Sequence, residues 1–232
     1  MGLSLFDVSG YVLAGGKSSR MGRDKALLEL AGKPLVLRAV EKLRQVCAEV
    51  FILGKREELM AYAPVVPDLH EGCGPLSGIE AGLAHSANAW NLFMAVDMPF
   101  LPVFFLQAWI RSVLEKERAR VAMFTVGERP QPALCLVHRD VAPFVTGAME
   151  RGEFKLFQVL MEAAERLALL QRADQSEVFL NFPSSHAEAI FDNGDEGWTP
   201  TGIEEKTMHL WFANLNTPED FAAAEALPEC PG

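Results

Sequence analysis

Leu13-Ala14-Gly15-Gly16-Lys17-Ser18-Ser19-Arg20-Met21-Gly22-Arg23-Asp24-Lys25 is the stretch from which the rest of this chain can be read. The apolar run Tyr11, Val12, Leu13 and Ala14 leads into it as a buried strand would, and an amphipathic segment with Pro34 at a helix start follows it. Gly15 and Gly16 lack Cβ atoms, so the backbone there can turn sharply and approach a ligand closely. Successive N–H groups in such a turn form a concave anion site. Lys17, Arg20, Arg23 and Lys25 add mobile and forked positive charge suited to phosphate oxygens. Two familiar phosphate loops are excluded by spacing. A P-loop needs glycine five residues before the Gly16-Lys17-Ser18 triplet, where Tyr11 stands, and a dinucleotide fingerprint needs glycine where Lys17 stands.

Downstream, strand and helix signals alternate. Leu35, Ala39, Val40, Leu43 and Val46 recur at helical spacing, and Val50–Leu53 is a short apolar strand ended by Gly54. Val65-Val66 precedes Pro67-Asp68, and a glycine-rich turn, Gly72 to Gly78, opens a helix through Leu83. Asn91–Val96 reads as a strand ending at Asp97-Met98-Pro99, and a long helix is predicted after Pro102. Strands are also predicted over 121–126 and 133–138, helices over about 141–151 and 156–167, and a last strand over 208–212. Alternation with short connections implies parallel βαβ units, hence a mostly parallel, doubly wound α/β sheet with helices on both faces, in one domain over 1–232. Ligands of such sheets bind at the carboxyl ends of strands. Gly15, Gly54, Asp68 and Asp97 all follow strands and are expected to line one crevice. Residues 174–207 are polar, with scattered Phe179, Phe182, Phe191 and Trp198, and read largely as loop with weak strands.

A formal charge of −10 argues against general nucleic-acid binding, so an anionic substrate has to be drawn by a local positive site. The four cysteines and five histidines show neither paired zinc spacing nor a disulfide framework, and a reducing cytoplasm is the simple reading. The most apolar stretch, 92–110, contains Asp97, Pro99 and Pro102, which a membrane-spanning helix does not readily accept. Ser77 misses the Gly-x-Ser-x-Gly spacing of a nucleophile elbow by one residue. Asp97 stands as a Mg²⁺ ligand candidate at a strand end, with a helix N-cap as the alternative.

The motif Leu13-Ala14-Gly15-Gly16, Ser18, Arg20-Met21-Gly22, Asp24-Lys25 resembles the signature of the MobA-like molybdenum cofactor guanylyltransferases. Asn214-Leu215-Asn216-Thr217-Pro218-Glu219-Asp220 resembles that family's closing motif, and 174–207 stands out as an insertion. The resemblance implies a nucleotidyltransferase-type sheet, GTP and a molybdopterin-type cofactor as substrates, and Mg²⁺ held by Asp97 with Asn216. It also implies a molybdoenzyme or cofactor-biosynthesis protein as partner. Arg20 and Lys25 would grip the triphosphate, and Leu13, Ala14, Gly15, Gly16, Lys25, Gly54, Asp68 and Asp97 would contact the nucleotide. Asp68 can serve guanine or ribose, and Gly54 stands where the family usually carries a nearby asparagine. Gln131 to Leu134 resembles part of the family's second-substrate surface. The alternatives are the same chemistry with CTP or another acceptor, such as a sugar phosphate or methylerythritol phosphate, and a non-catalytic nucleotide-binding adaptor.

Overall fold

β1 (Phe6–Leu13) is buried on both faces. Val8 and Val12 enter one hydrophobic cluster, and Tyr11 and Leu13 enter the other. A strand apolar on both sides needs helices above and below it. The computed structural model, which describes residues 6–15, 24–184 and 208–226, supplies them. α1 (Leu35–Leu43) and α3 (Val103–Leu114) pack on the first face. α2 (Pro75–His85), α4 (Ala142–Glu150) and α5 (Leu156–Gln171) pack on the second.

The remaining strands of the sheet are β4 (Cys47–Leu53), β5 (Val65–Val66), β6 (Trp90–Ala95), β7 (Val121–Val126), β8 (Arg129–His138) and β9 (Phe179–Pro183). β2 (Glu29–Leu30) and β3 (Lys33–Pro34) form a separate small hairpin. The sheet order is β5-β4-β1-β6-β8-β7-β9, parallel except at β8. β8 runs the other way because Gly127-Glu128 joins it to β7 as a two-residue hairpin, with Gly127 at φ +59°. The chain steps from β1 outward through β4 and β5, then returns to β6 on the other side of β1. That reversal opens a crevice at the carboxyl ends of β1, β4 and β6. The apolar stretch 92–110 divides into β6, a turn and α3, and among the described residues no helix is long and apolar enough to cross a membrane.

Two expectations change. The stretch read from 174 as largely loop with weak strands begins with α6 (Gln175–Val178), and its strand β9 is a full member of the main sheet, paired with β7. Phe179 turns to one core cluster while Leu180 and Phe182 turn to the other, an alternation hidden in sequence by polar neighbours. Residues 185–207 lie outside the described set. The strand expected over 208–212 is a single 3₁₀ turn at Met208–Leu210 followed by a turn. β9 already occupies the sheet edge beside β7, and Trp211 and Phe212 plug the core instead, with ring centroids 5.1 and 5.6 Å from Phe105.

Candidate active site

Three separated stretches meet at the end of β6. Asp24 caps a one-turn 3₁₀ helix (Lys25–Leu27), its Oδ1 accepting from the Ala26 N–H at 3.0 Å, and so aims Lys25 inward. Lys25 Nζ donates to Asp97 Oδ2 and, at 2.7 Å, to Asn216 Oδ1. The Leu215 N–H donates to the Asp97 carbonyl at 3.0 Å, stitching the closing motif to the turn after β6. α7 (Pro218–Glu225) then begins with a reciprocal capping box. The Asn216 and Thr217 N–H groups both donate to Asp220 Oδ2 at 2.8 Å, and those bonds hold the Asp220 carboxyl below its ordinary range. Asn216 is thereby fixed at its backbone.

Asp97 does not cap α3. That position belongs to Pro102, without a side-chain bond. Its Oδ1 is buried and has no hydrogen-bond partner among the described residues. The turn that carries it is held from below, where buried Lys42 donates to the Pro99 carbonyl at 2.8 Å.

Beside this cluster lies a cleft of about 770 Å³ lined by Leu13, Gly15, Gly54, Asp68, Gly78 and neighbouring residues. Asp68 spans two glycines: its Oδ2 lies 3.5 Å from the place a Cβ on Gly15 would take, and its Oδ1 3.4 Å from that on Gly78. Burial pushes the Asp68 carboxyl above its ordinary range, with Lys55 opposing the shift. Gly54 sits at φ +141°, a conformation that L side chains rarely adopt, which accounts for glycine at this point. Ser77 Oγ accepts from the His70 N–H and donates to the His70 carbonyl, at 2.9 and 2.8 Å. Its hydroxyl closes the turn after Asp68 and plays no nucleophile's part.

Of the residues singled out from sequence, Lys25, Asp97 and Asn216 come together, and Leu13, Gly15, Gly54 and Asp68 line the adjoining cleft. Ala14 is buried at the end of β1, and Gly16, Lys17, Arg20 and Arg23 lie outside the described residues. Sequence reasoning passed over Lys42, whose signal was a lysine inside the apolar stripe of α1. It also passed over Arg56, which left no periodic signal. Arg56 Nη2 donates to the Ala14 carbonyl at 2.7 Å, and its Nη1 pairs with Asp24. Burial lowers its pKa from the ordinary guanidinium range.

The family model for the MobA-like NTP transferase domain matches residues 10–178, a span that contains the carboxyl half of β1, the cleft and Asp97. The chain belongs to the MobA-like NTP transferase family. It is 35% identical over 166 residues to the molybdenum cofactor guanylyltransferase of Serratia proteamaculans, covering 69% of this chain and 82% of that protein. It is 34% identical over 179 residues to the enzyme of the same name from Vibrio atlanticus, covering 75% and 91%. Among solved structures, the molybdopterin-guanine dinucleotide biosynthesis protein A of Archaeoglobus fulgidus superposes with a TM-score of 0.68 at 23% identity, over 94% of this chain and 96% of that one. A CMP:2-keto-3-deoxy-manno-octonic acid synthetase complexed with CTP superposes at 0.62 and 14% identity, over 96% and 98%. Both solved structures share the fold. The MobA-like chain is thus an enzyme, a nucleotidyltransferase, and its cleft stands where this fold places a ligand.

Proposed function

We propose that this enzyme transfers GMP from GTP to a molybdopterin-type acceptor, releasing pyrophosphate with Mg²⁺ assistance. The carrying observation is the convergence of Lys25, Asp97 and Asn216 beside the cleft that Asp68 and the glycines line. The names of the relatives support guanine and the pterin acceptor.

The reaction needs no protein nucleophile. A phosphate oxygen of the acceptor bonds to the α-phosphorus as the bond to the β-phosphate oxygen breaks, and pyrophosphate carries the displaced charge away. The protein's contribution is placement and charge neutralisation. Asp97 and Asn216 offer the hard oxygens that Mg²⁺ prefers, and Asp97 Oδ1, which has no hydrogen-bond partner among the described residues, fits an ion that takes one or two carboxylates with phosphate and water oxygens. When bound there, Mg²⁺ supplies charge stabilisation of several kcal/mol at the reacting phosphate. Lys25 neutralises Asp97 in the free protein, and a triphosphate competes for the same ammonium. Arg20 is the second cation for the leaving pyrophosphate. Asp68 takes both guanine donors, N1–H and N2–H, on one carboxylate, or the ribose hydroxyls.

The test is pyrophosphate release from each of the four NTPs with the molybdenum cofactor as acceptor. Turnover with GTP is expected, and none with a sugar phosphate or methylerythritol phosphate in place of the pterin. Turnover with CTP alone, or with no NTP, overturns the proposal.

A further inference from the structure

His70 is held at three points by one helix. Ser77 Oγ engages both of its backbone groups, accepting from the N–H at 2.9 Å and donating to the carbonyl at 2.8 Å. Three residues further along α2, Glu80 Oε2 stands 3.4 Å from the imidazole Nε2. Ser77 and Glu80 share a face of that helix and are only 1% and 5% exposed. A buried carboxylate is costly unless a partner compensates it. Glu80 Oε2 has no hydrogen bond among the described residues, and the His70 ring is the ion-pair partner it meets. The residue anchored in this way lines the cleft beside Asp68 and Glu71, with 53% of its side chain exposed. Buried polar groups that lock one half-exposed side chain are the support a binding residue needs.

We propose that His70 is a nucleoside-binding residue of the cleft, with Glu80 as its positioning residue. Charge decides which part of a nucleotide it meets. Asp68 and Glu71 stand on the same short segment as His70, and two carboxylates there suit a neutral nucleoside and disfavour a polyphosphate. A carboxylate facing Nε2 sets that nitrogen as the one carrying the proton, which leaves the ring face and the Nδ1 edge for the ligand. α2 fixes both walls of this corner, because Gly78 brings its backbone against Asp68 one residue after Ser77 anchors His70. That the nucleoside is guanosine rests on the transferase reading above. The anchoring of His70 does not.

Calorimetric titration of the full chain with guanosine, cytidine and GTP tests both residues. His70→Ala should raise the Kd for guanosine about tenfold, the scale of one aromatic contact to a base, and that for GTP with Mg²⁺ by the same factor. In pyrophosphate release the loss should fall on KM, with kcat within about twofold, because a contact made equally in the ground and transition states is uniform binding. Glu80→Gln keeps the size of the side chain and removes the charge that faces Nε2. It should weaken guanosine about threefold in the parent and leave its Kd unchanged when combined with His70→Ala. An unchanged guanosine Kd in His70→Ala overturns the proposal and leaves the GTP reading standing, and so does a loss confined to GTP. A fall in Tm with no change in guanosine affinity in either variant assigns the pair to stability alone and overturns it too. Equal weakening by Glu80→Gln with His70 present or absent removes Glu80 as the positioning residue. If cytidine binds in place of guanosine and His70→Ala weakens it, His70 is upheld and the guanylyl reading falls. A parent that binds no nucleoside overturns both.

Discussion

The amino and carboxyl ends of the central strands each carry a carboxylate in a polar network, and the two networks differ in whether they close. At the amino end Ser9, which is fully buried, donates to Glu49 at 2.7 Å, meets Ser86 at 2.8 Å and accepts from Asn88 at 3.0 Å. Asn88 also donates to Glu49 at 3.3 Å. Nearby, burial pushes the Tyr11 phenol up to about 12, so it stays protonated beside His85 Nδ1 at 3.3 Å. At the carboxyl end Asp97 has Lys25 on one oxygen, while its buried Oδ1 lacks a hydrogen-bond partner among the described residues. Protein groups satisfy the Ser9 network from within, and such networks rigidify a fold. A partly satisfied buried carboxylate costs stability and is retained where a ligand completes it.

That contrast is broken or sharpened by substitution at each end. Asp97→Ala should lower turnover on the order of 10³-fold, measured as pyrophosphate release, with little change in Tm. Retention of more than a tenth of the activity would remove Asp97 from the chemistry. Lys25→Met should cost about 10²-fold, the scale seen when one preorganised donor to developing charge is removed, with most of the loss in kcat. Ser9→Ala should leave kcat and KM alone but destabilise by about 1–2 kcal/mol, since Glu49, Ser86 and Asn88 each lose a partner. In a domain of this size that is a Tm fall of roughly 2–8 °C. If Ser9→Ala instead abolished turnover in a folded protein, the division between the two ends would fail.

The same contrast explains what the sequence made legible. The end of β1 at Gly15, the Asp97 turn and the Asn216 motif are each contiguous in sequence, and contiguous chemistry can be read without coordinates. The alternation of strand and helix likewise gave the parallel core around β1 and the helices on both faces. β9 was hidden because Phe179, Leu180 and Phe182 serve two different cores and stand among polar residues. Trp211 and Phe212 were misassigned because an apolar run states a wish for burial and not the geometry that grants it. Arg56 and Lys42 were invisible for a stricter reason. Each acts on a backbone carbonyl far away in sequence, Ala14 and Pro99, and a carbonyl leaves no residue type behind to be recognised.

The smallest expected effect lies in the cleft, at Asp68, where function and stability pull in opposite directions. Burial raises its folded-state pKa above the ordinary 3.8. A raised carboxyl pKa means that the folded protein favours the protonated form. The stability this group contributes is therefore fully present below pH 3.8 and is lost as pH rises through the raised value. Above that point the ionised carboxylate is a net cost in the ligand-free enzyme, only partly offset by Lys55. Asp68→Asn removes that cost. Thermal melts of the ligand-free variant should exceed those of the parent at neutral pH, with the gap narrowing as pH falls and closing below pH 3.8. The same substitution replaces an acceptor-only group with one that also presents an N–H₂ to the nucleoside, so the Tm increment produced by GTP with Mg²⁺ should shrink. A variant more stable when empty and less stabilised by nucleotide marks a carboxylate kept for its ligand. A variant less stable at neutral pH would mean that Asp68 belongs with Glu49 and the closed network at the other end of the sheet.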